Sequence, residues 1–251
     1  MANLDLIRSL NLQYGKQSPI TEKTKLFAIN EQFDKNNLEK AIKSSLQNLG
    51  TDFTLYFDLG LPAEVALLFI DVCNFSILSD DMNGDGIGEY FDAYYDMIIP
   101  IIYKYGGEID KIIGDGIICV FGPPFKDGKI EELIESADEC SKEIIKITNR
   151  TPFSSKIAFH CGLINYFKNK TGLYKEFTMI GKPLTELFRL ESISIDQRIN
   201  YYDNTSIRGY YNKKISYNKH TTPSKWTHFG ETIDNLKGVN HKNFYSIRYN
   251  N

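Results

Sequence analysis

The sequence contains no apolar run near the roughly 18 residues that a membrane-spanning helix requires. Its first residues, Met1-Ala2-Asn3-Leu4-Asp5-Leu6-Ile7-Arg8, lack the basic start and long apolar region of a secretory signal. Cysteine is scarce: Cys73, Cys119, Cys140 and Cys161 are widely spaced with no CxxC pair. That pattern fits reduced thiols in a cytoplasmic protein better than a disulfide framework. The four histidines, at 160, 220, 228 and 241, show no local metal-ligand spacing, which argues against a zinc site. The net charge is only −3, so there is no global basic field for nucleic acid. Internal repeats and low-complexity linkers are also missing. What is present is 42% hydrophobic residues over 251 positions, enough for a real core in one large domain or a domain with appendages.

The most informative stretch is 65–121. Val65-Ala66-Leu67-Leu68-Phe69-Ile70 is short, continuous and apolar, which reads as a fully buried strand, and it ends in Asp71. Further on, Ile112-Ile113-Gly114-Asp115-Gly116-Ile117-Ile118 sets apolar half-strands on either side of a Gly-Asp-Gly turn, the signature of a β-hairpin. Each segment presents one carboxylate where apolar sequence gives way to a turn. A carboxylate beside a buried core is costly unless something pairs with it. Two that converge suggest hard divalent cations, Mg²⁺ or Mn²⁺, which take oxygen ligands. Taken singly, Asp115 also suits an Asp-Gly turn, and Asp71 also suits a cap.

Around this stretch the chain divides into an N-terminal arm, 1–60, and a catalytic-sized remainder, 61–251. In the arm, residues 37–49 have apolar positions near helical spacing, and 53–57 read as a short strand. Asp81, Asn83, Asp85 and Gly86 match the start of a calcium loop, but the twelfth position is Asp92 rather than Glu. An acidic, Gly-rich loop capping the next helix accounts for the same residues. That helix is expected over 87–105, with a kink or break at Pro100. Strands follow at 108–113 and 116–121, a helix at 129–148, and a strand at 156–167 in which Gly162 allows close backbone approach. A strand at 175–180 and a short helix at 182–192 come next. From 193 onward, Tyr- and Lys-rich loops lead to a last strand at 244–249. The order is β-α-β-β-α-β with further β and α elements, an α+β fold of ferredoxin-like pattern.

Four segments in this order resemble the catalytic domain of class III adenylate/guanylate cyclases, over about residues 62–250. They are LFIDVCNFSILS at 68–79, GGEIDKIIGDGIICVFGP at 106–123, FHCGL at 159–163, and FTMIGKPLTELFRLE at 177–191. The resemblance implies that Asp71 and Asp115, with the Val72 carbonyl, hold two Mg²⁺ or Mn²⁺ ions. It implies phosphate binding by the backbone of Asn74, Phe75 and Ser76 at a helix start. Lys111 and Thr178 fall on the base-reading positions, in an adenine-selecting combination. Arg189 falls on the transition-state arginine, and Lys237 lies near the triphosphate-binding lysine. In such domains the site is shared between two chains, so a chain carrying both sets implies a head-to-tail homodimer acting on a nucleoside triphosphate.

The departure is at Thr185, where the family carries a ribose-positioning Asn; a Thr hydroxyl is shorter but still donates one hydrogen bond. The expected activity is therefore cyclisation of ATP to 3′,5′-cyclic AMP and pyrophosphate. Two alternatives stay open: a pyrimidine cyclase of the anti-phage signalling type, making cUMP or cCMP, and a catalytically weak nucleotide-binding regulator.

Overall fold

The computed structural model of the chain describes residues 56, 60–168, 177–218, 225–233 and 236–250, with the side chains of 167–168, 177–178 and 216–218 left out. The expected helix at 37–49 and strand at 53–57 lie outside the described residues, Tyr56 excepted. The apolar run at 65–70 becomes the middle of β1 (Pro62–Val72). β1 pairs on both edges, with β3 (Gly116–Phe121) and with β4 (Ser155–Lys168), both antiparallel. Neighbours on both edges and helices on both faces explain why Val65 to Ile70 are buried without alternation.

β2 (Glu108–Ile113) and β3 form the expected hairpin. Its two-residue loop is Gly114-Asp115, and Gly114 takes a φ of 60°, a conformation open to glycine at little cost. The sheet continues through β6 (Arg198–Tyr202), β8 (Asn243–Tyr249) and β7 (Trp226–Thr232), giving the order β2-β3-β1-β4-β6-β8-β7. β5 (Phe177–Ile180) pairs with the far end of β4. The first four strands, in the order β2-β3-β1-β4, are the ferredoxin-like core that the element pattern implies.

One face carries α2 (Gly84–Lys104) and α3 (Ile130–Thr148), which close over Ala66, Leu68 and Ile70. α5 (Ser206–Asn218) joins that side through Ile207 and Tyr211. The opposite face carries α4 (Lys182–Glu191), whose Leu184, Leu187 and Leu190 pack on Leu67, Phe69 and Ala158. A Cβ at Gly162 would come within 2.7 Å of the Pro183 ring, so the missing side chain lets the start of α4 lie against β4.

Two expectations are corrected and one, the capping loop, is met. α2 runs unbroken through Pro100: a proline inside a helix costs about 3 kcal/mol, but Ile98, Ile99, Ile101 and Ile102 beside it are all buried, at about 1.5–3 kcal/mol each. The acidic loop before α2 serves as its cap, with the Asn83 side chain accepting from the Gly86 N–H at 2.9 Å. Finally, residues 193–243 hold β6, α5 and β7 rather than loops alone.

Candidate active site

Asp71 is the penultimate residue of β1 and lies opposite Lys156 of β4. Because Ile70 pairs with Ile117, the Gly114-Asp115 turn falls at the same end of the sheet as Asp71. The two carboxylates interact. Burial first, and then the charge of Asp115, push Asp71 up to about 7 from its ordinary 3.8, with Lys156 opposing them. The hairpin tip is steadied by the Tyr95 hydroxyl, which donates to the Gly114 carbonyl at 2.9 Å.

Two participants escaped the sequence reading. The Lys156 ammonium lies 3.3 Å from Asp71 Oδ2 and 2.8 Å from Glu191 Oε1, at the C-terminal end of α4. Burial works against that ammonium, but its bond to Glu191 and the charge of Asp71 outweigh it and hold its pKa above the usual lysine value. Neither residue carries a local signal; strand register brings Lys156 to Asp71, and the docking of α4 brings Glu191 to Lys156. A half-buried acid whose pKa is raised by burial and by a second carboxylate, with one lysine as partial counter-charge, is a donor set that fits hard divalent cations.

Past Asp71, Val72 ends β1 buried, and Asn74 adopts a left-handed conformation (φ 57°) before α1 (Phe75–Leu78), a single turn. The Phe75 ring packs on Tyr90 and Phe91, centroids 5.5 and 4.8 Å away, which leaves the exposed Ser76 on the outside. The Asn74 amide donates to Asp196 Oδ2 at 3.3 Å. Lys111 sits on β2 opposite Ile118, immediately after a bulge and towards the Asp115 end of the hairpin.

The remaining residues lie elsewhere. Thr178 is on β5 opposite Phe167, eleven residues along β4 from the strand position that faces Asp71. That is up to about 36 Å for an extended strand. Thr185 is exposed in the first turn of α4, and Arg189 is exposed in its last turn, its charge reaching the Tyr202 hydroxyl. Lys237 is exposed in the loop 236–242. A cleft of about 440 Å³ lined by Arg150, Asp196, Arg198 and Arg248 contains none of the expected site residues.

The fold brings together two histidines that lie 81 residues apart in sequence. His160 of β4 and His241 of the loop before β8 converge on Glu186 of α4, and the ligand atoms of all three lie within 4.8 Å of one another. Among the described residues, all four cysteines are free, and no helix is long and apolar enough to cross a membrane.

The fold is the architecture of nucleotide cyclase catalytic domains. In structure, the chain is similar to the adenylyl cyclase CyaB from P. aeruginosa, with a TM-score of 0.63 at 18% identity, over 76% of this chain and 96% of that one. It is also similar to the guanylate cyclase domain of RhGC from Catenaria anguillulae in complex with GTP, with a TM-score of 0.58 at 18% identity, over 76% and 100%. In sequence, it is 24% identical over 151 residues to a terminal-differentiation specific adenylate cyclase of Dictyostelium discoideum, a match covering 60% of this chain and 7% of that protein's length. No protein-family model matches the chain. The resemblance to adenylate and guanylate cyclase domains, read first from four short segments, is thus borne out.

Proposed function

We propose that the chain is a nucleotidyl cyclase that converts ATP to 3′,5′-cyclic AMP and pyrophosphate, at sites shared between the two subunits of a head-to-tail homodimer. The observation that carries this reading is the placement of Asp71 and the Asp115 turn at one end of a cyclase-type sheet, where burial and then the charge of Asp115 raise the Asp71 pKa. Bound there, two Mg²⁺ or Mn²⁺ ions supply positive charge that favours ionisation of the ribose 3′-hydroxyl and departure of pyrophosphate.

The protein's own groups do the rest. Asp71 and Asp115 hold the cations, with the Val72 carbonyl beside them. The backbone of Asn74, Phe75 and Ser76 faces the phosphates. From the second subunit, Thr178 reads the base with Lys111, Thr185 positions the ribose, Arg189 donates to oxygens gaining charge at the α-phosphorus, and Lys237 balances the outer phosphates. Arg189→Ala is expected to lower turnover by about 10² to 10³, the usual loss for such a donor. Adenine preference rests on the pairing of Lys111 with Thr178.

The test is incubation of the purified full chain with ATP, GTP, CTP and UTP in Mn²⁺, beside Asp71→Ala. Cyclic AMP as the main product, absent in the variant, is expected. Cyclic UMP or CMP would transfer the reading to a pyrimidine cyclase, and no cyclic product from any triphosphate would overturn it. Thr185 favours one second reading, a weak nucleotide-binding regulator. Its mark would be a chain that binds ATP without turnover and gains turnover in Thr185→Asn.

A further inference from the structure

Glu186 is an unusual residue for its place. It sits in α4 between Thr185 and Leu187, on the buried side of the helix, and its carboxylate is 5% exposed. Its Oε2 lies 3.1 Å from His160 Nε2, and its Oε1 lies 3.7 Å from His241 Nε2. Oε1 is buried and makes no hydrogen bond, and neither does the buried Nδ1 of His160. The nearest ammonium, Lys182 Nζ, lies 3.4 Å from Oε1 on a side chain that is 63% exposed. A buried carboxylate oxygen without a hydrogen bond is costly and calls for a positive partner.

The surroundings fix the two imidazoles as a metal site would need. Tyr202 stacks flat on His241, with centroids 4.4 Å apart, and meets His160 edge-on at 5.4 Å. The His241 ring also hydrogen-bonds the Asp203 backbone, the kind of outer anchor that orients metal-binding histidines. Burial keeps His241 below the ordinary imidazole pKa. Burial alone would raise the Glu186 pKa, but the His160 contact holds it below the usual carboxylate value. Neutral imidazole and ionised carboxylate are the forms that bind a cation. An ion with bonds of about 2.0–2.1 Å in a tetrahedron sets its ligand atoms about 3.3 Å apart; here one ligand atom from each residue lies within 4.8 Å of the others, so binding draws the three together by at most about 1.5 Å.

We propose that His160, Glu186 and His241 bind one divalent transition-metal ion, zinc before others, with water in the fourth position. Two nitrogens and one carboxylate oxygen form a donor set suited to Zn²⁺ and poorly suited to Mg²⁺. The ion ties α4 to β4 and to the loop that carries Lys237, and so fixes the helix bearing Thr185 and Arg189. This site is distinct from Asp71 and Asp115 and does not depend on the cyclase reading.

The test uses full-length protein stripped with a chelator, titrated with ZnCl₂ by calorimetry and with Co²⁺ by visible absorption. The background is Asp71→Asn, so that binding at the other acidic site does not contribute. Expected are one Zn²⁺ per chain, tetrahedral Co²⁺ bands, and a Zn²⁺-dependent rise in melting temperature. His241→Ala, a partly exposed position that leaves the core intact, should weaken zinc binding by more than about tenfold, the loss that even an outer partner causes. Glu186→Gln should do the same. Absence of stoichiometric zinc, or equal affinity in His241→Ala, would overturn the site and leave a buried His160–Glu186 ion pair. Neither result bears on cyclic nucleotide formation, which is read separately in the Asp71-intact protein.

Discussion

At the scale of single residues, Asp71 is where stability and the proposed activity oppose each other. Its pKa rises from 3.8 to about 7 on folding, because burial and Asp115 disfavour its charge. The folded state therefore holds this proton more tightly than the unfolded chain does. The resulting stability is complete below about pH 4 and is lost as pH climbs through 7. In EDTA, Asp71→Asn should match the parent only below about pH 4 and exceed it by a few kcal/mol at pH 8, since each pKa unit is about 1.4 kcal/mol. Added Mn²⁺ should narrow that gap by stabilising only the parent. Thermal unfolding at the two pH values measures this, and a variant less stable than the parent at pH 8 would contradict it. The thiols are quiet by comparison: burial pushes Cys73 up to about 12 and Cys161 up to about 11, which disfavours their thiolates.

At the scale of elements, α5 shows both what holds the fold and what the sequence conceals. Its apolar stripe is narrow, Ile207, Tyr210, Tyr211 and Ile215 in an otherwise polar stretch, and of these Ile207 and Tyr211 are buried. What docks it is the fully buried Asp138 of α3, which accepts from the Tyr211 hydroxyl at 2.6 Å, the Tyr210 hydroxyl at 2.8 Å and the Lys142 ammonium at 2.6 Å. Asp138→Ala strands all three donors and should cost about 3–5 kcal/mol, the penalty for breaking a buried charged network. Urea denaturation that found less than about 1 kcal/mol would assign the docking to apolar contacts instead. β1 and β3 were legible as short continuous apolar runs, β2 as the other arm of the Gly-Asp-Gly hairpin, and β4, α2 and α3 because each buries a face that its own periodicity displays. The five-residue β6 and the half-buried edge strand β7 display none, and α5 is attached by polar side chains whose partner lies some 70 residues away. The site divides the same way. Asp71 and Asp115 stand out locally at a strand end and a turn, whereas Lys156, Glu191 and the His160–Glu186–His241 group meet only through sheet register and helix docking, which no local spacing records.

At the scale of the whole molecule, one chain sets the expected site residues apart. Asp71 and Asp115 occupy one end of the central strands, while Thr178 lies at the other end of β4. Large apolar side chains left exposed include Ile113 at the hairpin, Leu163 on β4, Ile180 on β5 and Phe188 on α4. In the head-to-tail pair proposed above, the aspartates of one copy would meet Thr178, Thr185 and Arg189 of the other, twice. Asp71→Ala and Arg189→Ala would then each be inactive alone. In their heterodimer both lesions fall in one site and the second site is intact. Random association of equal amounts gives half heterodimers with one working site in two, so the mixture should recover about a quarter of the parent's activity. Differently tagged variants, co-purified to prove that the heterodimer formed and then assayed for cyclic AMP, make the measurement decisive. A heterodimer as inactive as its parents would place all of the catalytic groups on a single chain.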